Sequence, residues 1–335
     1  MRPTIRDVAR KLHLSITTVS RALDGYEDVA EETRERVIEA ASLIGYAPNR
    51  AARQLRRQKA DTVGFIIPAL SKRFSEPFFT EFISGMGEEL SSQNYDLLVS
   101  NARTDEQERE LYRRWISGNK VDGFVLNGIC SHDWRVEYLS KSDIPFVALG
   151  KSLDGVDYPY IRITGAKAYL DLVRHIREKG FARFAFIGGP GEIMNHVERL
   201  RWFKLALEKC GLPLQPEHLL ATDMTSMGGY EAAKRLLSLP QPPDALLCVN
   251  DETAFGALHA AHEHGLEIGT QLAIAGFDGI RESKYTEPPL TTLDIPVHDI
   301  ARKLIDMLLR TLSNRPGESV ARIKPILIIR ESTGG

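Results

Sequence analysis

Thr4-Ile5-Arg6-Asp7-Val8-Ala9, followed by Ser15-Ile16-Thr17-Thr18-Val19-Ser20-Arg21-Ala22-Leu23, decides the fold of the amino-terminal part of the chain. Thr4 with Asp7 three residues on is a capping-box pattern with Asp in place of Glu, and Ile5, Val8, Ala9 and Leu12 then mark one helical face. A helix over 5–12 follows. His13 stands where the chain must turn, and His tolerates positive φ better than most residues. Ser15 caps a second helix over 16–23, which buries Val19, Ala22 and Leu23 and stops at Asp24-Gly25. Two helices joined by about three residues form the unit that lays its second helix in a DNA major groove, here with Ile16, Thr17, Thr18 and Arg21 facing outward. A third helix over 31–44 has acids at its start and Gly45 as its stop, and supplies Val37, Ala40, Ala41 and Ile44 to a small core.

Charge agrees with that reading once the chain is divided. The whole has 43 Lys+Arg and 45 Asp+Glu, a formal net charge of -2 that points to no partner. Residues 1–59 hold 12 Lys+Arg against 8 Asp+Glu, net +4, so the remainder holds 31 against 37, net -6. No acid occurs between Ala40 and Ala60, where Arg50, Arg53, Arg56, Arg57 and Lys59 cluster. A basic head on an acidic body suggests a head that meets a polyanion, the bland alternative being a solvated charge run.

The two runs quoted, together with Glu31-Glu32-Thr33-Arg34-Glu35-Arg36-Val37 and Gly45-Tyr46-Ala47-Pro48-Asn49, resemble in order and spacing the DNA-binding head of the lactose-repressor (LacI/GalR) family. The resemblance implies a DNA-contacting set of Thr4, Ser15, Ile16, Thr17, Thr18, Ser20 and Arg21. It further implies that 48–60 is a hinge in which Asn49, Arg50, Ala52, Arg53, Leu55 and Arg56 meet the minor groove, Leu55 wedging between base pairs. Such a segment is too short to be a stable helix alone in water, and an apolar wedge offsets unstacking with added protein contact. A plain linker is the alternative, although a linker needs no cations ranged around one leucine. Two positions depart from the family pattern: His13, where Gly or Asn is common, and Ala30, where a Ser or Thr cap is common.

From Asp61 onward strands and helices alternate. Apolar runs at 62–68, 95–100, 122–126 and 144–149 read as buried strands, with helices over 77–92, 105–117 and 132–140 between them. The plan repeats with strands at 184–188, 218–222, 245–249 and 272–277 and helices over 167–179, 196–210, 229–238 and 252–264. Segments 290–294 and 325–329 flank a helix over 297–312 and return across both halves. The fold class is therefore a small all-α helix-turn-helix head (1–47) before an α/β domain (61–335) of two doubly wound parallel sheets, the architecture of periplasmic sugar-binding proteins. Its lobes are expected at about 61–160 plus 291–318 and 161–290 plus 319–330.

Open α/β sheets bind ligands beyond the carboxyl ends of their strands, so the cleft is expected to be lined by Phe78, Phe79, Arg199, Asn250 and Asp278. That set gives donors, acceptors and an aromatic face, which suits a polyol. The family resemblance implies the same roles for Arg199, Asn250 and Asp278, and Asp133 with Arg135 resembles a motif of the α-glucoside-type branch. Helix capping is the plain alternative for Asn250 and Asp278. Ile161-Arg162-Ile163-Thr164, where many relatives carry Asp-Asn, and Trp202, where Gly is common, suggest an effector different from that of close relatives.

Other classes find little support. Apolar residues make up 43% and charged residues 26%, ordinary globular usage, and no apolar run approaches the roughly 18 residues of a membrane helix. Met1 to Arg6 has no apolar core, so no secretory signal is expected and the expected location is the cytoplasm, on the nucleoid. Cys130, Cys210 and Cys248 are too scattered for a disulfide scaffold or structural zinc. Phosphate-loop, nucleophile-elbow and HExxH motifs are missing, so neither catalytic residues nor a cofactor are expected. His259, His262 and His264 read as a solvated helix end. The expectation is a homodimeric repressor of double-stranded operator DNA, switched by a mono- or oligosaccharide inducer. A ligand acting as corepressor and a sugar-binding module without a DNA role are the alternatives. The tail has no leucine heptad, which favours dimers over tetramers.

Overall fold

The computed structural model describes residues 3–26, 28–46, 59–68 and 77–335. They fall into two compact units, within Met1–Ala60 and Asp61–Gly335.

The first unit holds α1 (Ile5–Leu12), α2 (Ile16–Leu23) and α3 (Glu31–Leu43). The Asp7 carboxylate accepts the Thr4 N–H at 2.9 Å and the Thr4 hydroxyl at 2.7 Å, which fixes the start of α1 and holds the Asp7 carboxyl below its ordinary range. His13 takes φ 54°, as the turn requires, and Ser15 Oγ accepts the Thr18 N–H at 3.0 Å. Ala30 gives α3 no side-chain cap. Arg34 instead braces the preceding loop, donating to the carbonyls of Tyr26 at 2.9 Å and Val29 at 3.4 Å. Val8, Val19, Ala22 and Val37 are buried where the three helices meet.

The second unit has two six-stranded sheets. The first contains β1 (Thr62–Ile67), β2 (Asp96–Asn101), β3 (Gly123–Leu126), β4 (Phe146–Leu149), β5 (Tyr160–Ile163) and β11 (Val320–Ile323), with α4 (Pro77–Ser92), α5 (Asp105–Ser117) and α6 (Trp134–Lys141) in its crossovers. Its order is β11-β5-β4-β3-β1-β2, all parallel. The second contains β6 (Phe184–Gly188), β7 (Leu219–Ala221), β8 (Ala245–Cys248), β9 (Ala273–Asp278), β10 (Thr291–Asp294) and β12 (Ile326–Ile328). Its order is β12-β10-β9-β8-β6-β7, antiparallel only at β10–β12. The helices of that half are α7 (Ala166–Glu178), α8 (Met194–Cys210), α9 (Ser226–Leu237) and α10 (Asp251–Glu263), and α11 (Val297–Leu312) packs against α4. Glycine allows α9 and α10 to cross closely: a Cβ at Gly229 would lie 2.1 Å from the Thr253 carbonyl oxygen, and one at Gly256 1.8 Å from that of Ser226.

The structure corrects the expected lobe boundaries. Tyr160–Ile163 and Val320–Ile323 pair with each other in the first sheet, and Thr291–Asp294 pairs with β9 in the second. The lobes are therefore about 61–163 with 297–323, and 164–294 with 326–335, and the chain crosses three times between them. The reason is local. Each misplaced strand has four residues; Arg162 and Arg322 interrupt the apolar pattern of two of them, and the third, read as the segment 290–294, carries no local sign of which sheet it joins. Among the described residues no helix is long and apolar enough to cross a membrane, and no group of three or more His, Cys, Asp or Glu could hold a metal ion. His259 lies beside Glu263 at 3.5 Å, His262 meets the Glu287 carbonyl and His264 that of Ala260.

Candidate effector cavity and DNA-binding face

In each sheet the chain reverses its winding beside the first strand, between β1 and β3 and between β6 and β8, and a cleft of about 600 Å³, part of it open to solvent, sits between the lobes at the carboxyl ends of these strands. Phe78 and Phe79 line it from the start of α4, Asn127 and Gly128 from the end of β3, and Leu149 and Ile163 from the ends of β4 and β5. The second lobe contributes Asn195, His196 and Arg199 from α8, Met224, Asn250 and Asp278. Thus five residues singled out in the sequence, Phe78, Phe79, Arg199, Asn250 and Asp278, come together. Asn127, Asn195 and His196 were not singled out. The strand-end rule points to Asn127, and Asn195 and His196 stand one helical turn before Arg199.

Arg199 is the centre of the polar wall. Its Nη2 donates to Asp278 Oδ1 at 2.9 Å and its Nη1 to the Val249 carbonyl at 2.5 Å, while the guanidinium lies 3.6 Å from the Phe277 ring centroid. Asp278 holds φ 106°, a region costly to a residue with a Cβ, and this turn brings its carboxylate off the end of β9 toward Arg199. Asn250 both caps and lines: Oδ1 accepts the Thr253 N–H at 3.0 Å, and Nδ2 donates to the Met224 carbonyl at 3.3 Å. Behind it Asp251 is buried, accepts the Thr292 hydroxyl at 2.6 Å and the Ile280 N–H at 2.9 Å, and burial pushes its carboxyl well above the ordinary range.

Asp133 and Arg135 do not line the cavity, a correction to the sequence reading. Arg135 is buried with Nη2 at 2.6 Å from Asp133 Oδ2 and Nη1 at 3.5 Å from Glu108 Oε1. It also donates to the carbonyls of Asn127 at 3.1 Å and Gly128 at 2.9 Å. Burial works to raise the Asp133 carboxyl, but Arg135 outweighs it and the carboxyl lies below its ordinary range. The reading failed because a charged pair after a strand has the same sequence signature whether it faces a ligand or the interior. Here the pair positions the loop that carries Asn127.

That loop also ties the lobes together. Met194 N–H donates to the Ile129 carbonyl at 2.8 Å and Ser131 N–H to that of Glu192 at 2.9 Å, which makes Cys130 and Ile193 an antiparallel bridge across the mouth of the cavity. Such a pair, flanked by its hydrogen bonds, has Cα atoms about 4.5 Å apart, within disulfide range. In Ile193→Cys, oxidation is expected to join Cys130 to the new cysteine and lock the clasp, lowering ligand association at least about tenfold, with dithiothreitol restoring it. Stopped-flow binding under both conditions checks this, and equal rates would mean that the clasp does not gate entry.

In the first unit Ser15, Ile16 and Thr17 are exposed on α2 while Val19 and Ala22 are buried, so the outward face is the one expected to contact DNA. Thr4 is exposed, and Thr18, Ser20 and Arg21 are half-buried. Arg21 is engaged by its own domain: Nη2 meets Asp28 Oδ2, Nε lies 3.2 Å from Asp28 Oδ1, and the guanidinium covers the Tyr26 ring at 4.7 Å. Asn49, Arg50, Ala52, Arg53, Leu55 and Arg56 lie outside the described residues.

Residues 4–49 match the bacterial regulatory proteins of the lacI family, and residues 173–333 match the periplasmic binding protein-like domain. The HTH-type transcriptional regulator AglR of Rhizobium meliloti (strain 1021) is 34% identical over 98% of this chain and 94% of its own. The HTH-type transcriptional repressor CytR of Escherichia coli (strain K12) is 33% identical over 98% of this chain and 96% of its own. Among solved structures, the transcriptional regulator CelR–cellobiose complex matches with TM-score 0.76 and 26% identity, covering 99% of this chain and 100% of that one. The lac repressor dimer bound to operator and the anti-inducer ONPF matches with TM-score 0.85 over 99% of both chains, and at 22% identity it shows the likeness of fold.

Proposed function

The chain belongs to the lacI family of bacterial regulatory proteins, and on that premise we propose that it is a homodimeric transcriptional repressor whose operator affinity falls when a sugar enters the cavity between its lobes. The observation that carries this is the pairing, in one chain, of an exposed α2 face with an interlobe cavity walled by Arg199, Asp278, Asn250 and Phe78. The transcriptional regulator CelR, which has the same architecture, was solved as a cellobiose complex. Two α2 helices of a dimer read successive major grooves of a pseudo-palindrome, with Ile16, Thr17 and Arg21 at base edges, the arginine suited to guanine. Phe78 offers a ring to the C–H face of a sugar, and the Arg199–Asp278 pair offers its remaining donors and lone pairs to hydroxyls. The protein works on the nucleoid in the cytoplasm, and as a binding protein it needs neither catalytic residues nor a cofactor.

The test begins with an operator selected from a random duplex pool and a thermal-shift screen of mono- and oligosaccharides on the full chain. The sugar that stabilises the protein is expected to weaken operator binding about 5- to 150-fold, the usual range of such coupling. Tightening would identify a corepressor, and no selected operator would end the repressor reading. Leu55→Ala is expected to lower operator affinity about tenfold or more while sugar affinity stays unchanged, because the wedge acts only on DNA. Fluorescence anisotropy measures both, and unaltered operator affinity removes Leu55 from the interface.

A further inference from the structure

The sequence departs from the family pattern at Ile161-Arg162-Ile163-Thr164 and at Trp202, and of these residues only Ile163 lines the effector cleft. Arg162, Ile163 and Thr164 instead meet Trp202 in a second groove of about 1220 Å³, part of it open to solvent. It is built on two of the three crossovers between the lobes. Thr164 opens the second lobe after β5, and Lys324-Pro325 joins β11 to β12. Thr164 donates its N–H at 2.8 Å and its hydroxyl at 3.2 Å to the Ile323 carbonyl, which ties the two crossovers together. The groove wall is largely apolar, with Ile326 61% exposed and Leu327 beside it. Trp202 supplies an indole: it packs on Gly165, where a Cβ would lie 2.6 Å from ring atoms Cε3 and Cζ3, so glycine at 165 is what admits the ring. The cations of the groove differ in one respect. Arg162 meets Glu198 at 2.7 Å and Lys167 meets Asp171 at 2.6 Å, whereas Lys324 has no carboxylate partner among the described residues. An apolar slot with an indole wall and one uncommitted ammonium suits a flat ring that bears a single negative charge. A polyol would waste the apolar wall, and a neutral ring would leave the ammonium unused.

We propose that this groove is a second ligand site, separate from the effector cleft, which takes a small aromatic carboxylate and couples its binding to that of the cleft. Ile163 belongs to both walls. On α8, Arg199 lines the cleft and Trp202, one turn further on, lines the groove, while Arg162 of the first lobe holds Glu198 of the second. A ligand seated against both lobes binds best to one arrangement of them, and so shifts affinity for whatever the other sites hold. The coupling, though not the binding, rests on the reading of the protein as a sugar-responsive repressor.

The test titrates benzoate, 4-hydroxybenzoate and cinnamate, each beside its uncharged amide, into the full chain by calorimetry. At least one acid is expected to bind, and to bind at least tenfold more tightly than its amide. Lys324→Met is expected to cost that acid about tenfold and to erase its advantage over the amide, with sugar and operator affinity in the absence of acid unchanged. Trp202→Gly removes the ring and is expected to lose acid and amide alike; if it fails to fold, the exposed Lys324 position carries the test. With the acid bound, sugar or operator affinity is expected to shift about fivefold or more, a shift absent from Lys324→Met. No binding at millimolar acid, equal binding of acid and amide, or acid binding that survives both variants overturns the site. Acid binding that leaves sugar and operator affinity unchanged overturns the coupling. A particle mass by light scattering that falls in Trp202→Gly assigns the groove to a second copy of the chain and overturns the proposal as well. If neither a sugar nor an operator is found, the repressor reading fails while the titrations still decide the site.

Discussion

Arg135→Met is expected to destabilise the Asp61–Gly335 unit by roughly 3–5 kcal/mol at pH 7, the range found when one partner of a buried ion pair is removed. Methionine fills much of the space, so the loss is electrostatic. Asp133 and Glu108 remain buried without their cation, and the carbonyls of Asn127 and Gly128 lose two donors. The sign of the pH effect follows from Asp133. Its folded-state carboxyl is held below the ordinary 3.8, so its pair contributes stability above the unfolded value and loses it as pH falls through the folded one. The penalty of the variant should accordingly shrink from pH 7 toward pH 4, where the orphaned carboxyls take up protons. Urea unfolding of both proteins at the two pH values measures this. A penalty under about 1 kcal/mol at pH 7 would show that the cluster tolerates the missing charge.

Asp278→Ala is expected to abolish the effector response while the operator is still bound. The substitution removes the carboxylate that faces the cavity and leaves Arg199 in the wall without its counter-ion, and a site built around such groups rejects a ligand that cannot satisfy them. Affinity for the sugar that stabilises wild type should drop about 100-fold or more by calorimetry. Operator anisotropy with that sugar added should then match the value without it. A variant that is still fully inducible would remove Asp278 from the effector site.

How much could be read from the sequence depended on whether the deciding signal was local. The head was legible because each of its signals acts within four residues: the Thr4–Asp7 box, positive φ at His13, the Ser15 cap and Gly45. The cavity was partly legible for a topological reason. Strand ends converge in a doubly wound sheet, so residues at or just past the carboxyl ends of β8 and β9 had to face the cleft whatever their partners, and Asn250 and Asp278 do. Long-range facts were hidden. Nothing near Asp133 announces that Arg135 turns inward to Glu108 on α5. Nothing near Thr291 tells which sheet will accept a four-residue strand, because that is settled by pairing with β9 and with β12, the latter more than thirty residues away. Asn195 and His196 were missed for a simpler reason: a helix that lines a cavity presents neighbouring turns to it, and attention to Arg199 alone overlooked its own face.

The contact between Arg21 and Asp28 bears on how bases would be chosen. Arginine in free solution has about 2 kcal/mol of rotamer freedom to lose on docking. In this head the guanidinium is already extended against an internal two-oxygen placeholder and flanked by Tyr26. If Arg21 reads a guanine edge, it trades one planar acceptor for another, and little new order has to be imposed. The reward for the right base is then modest. A wrong base, lacking two aligned acceptors, cannot compete with Asp28 and leaves the arginine folded back, so fidelity would come from refusal more than from strength of attachment.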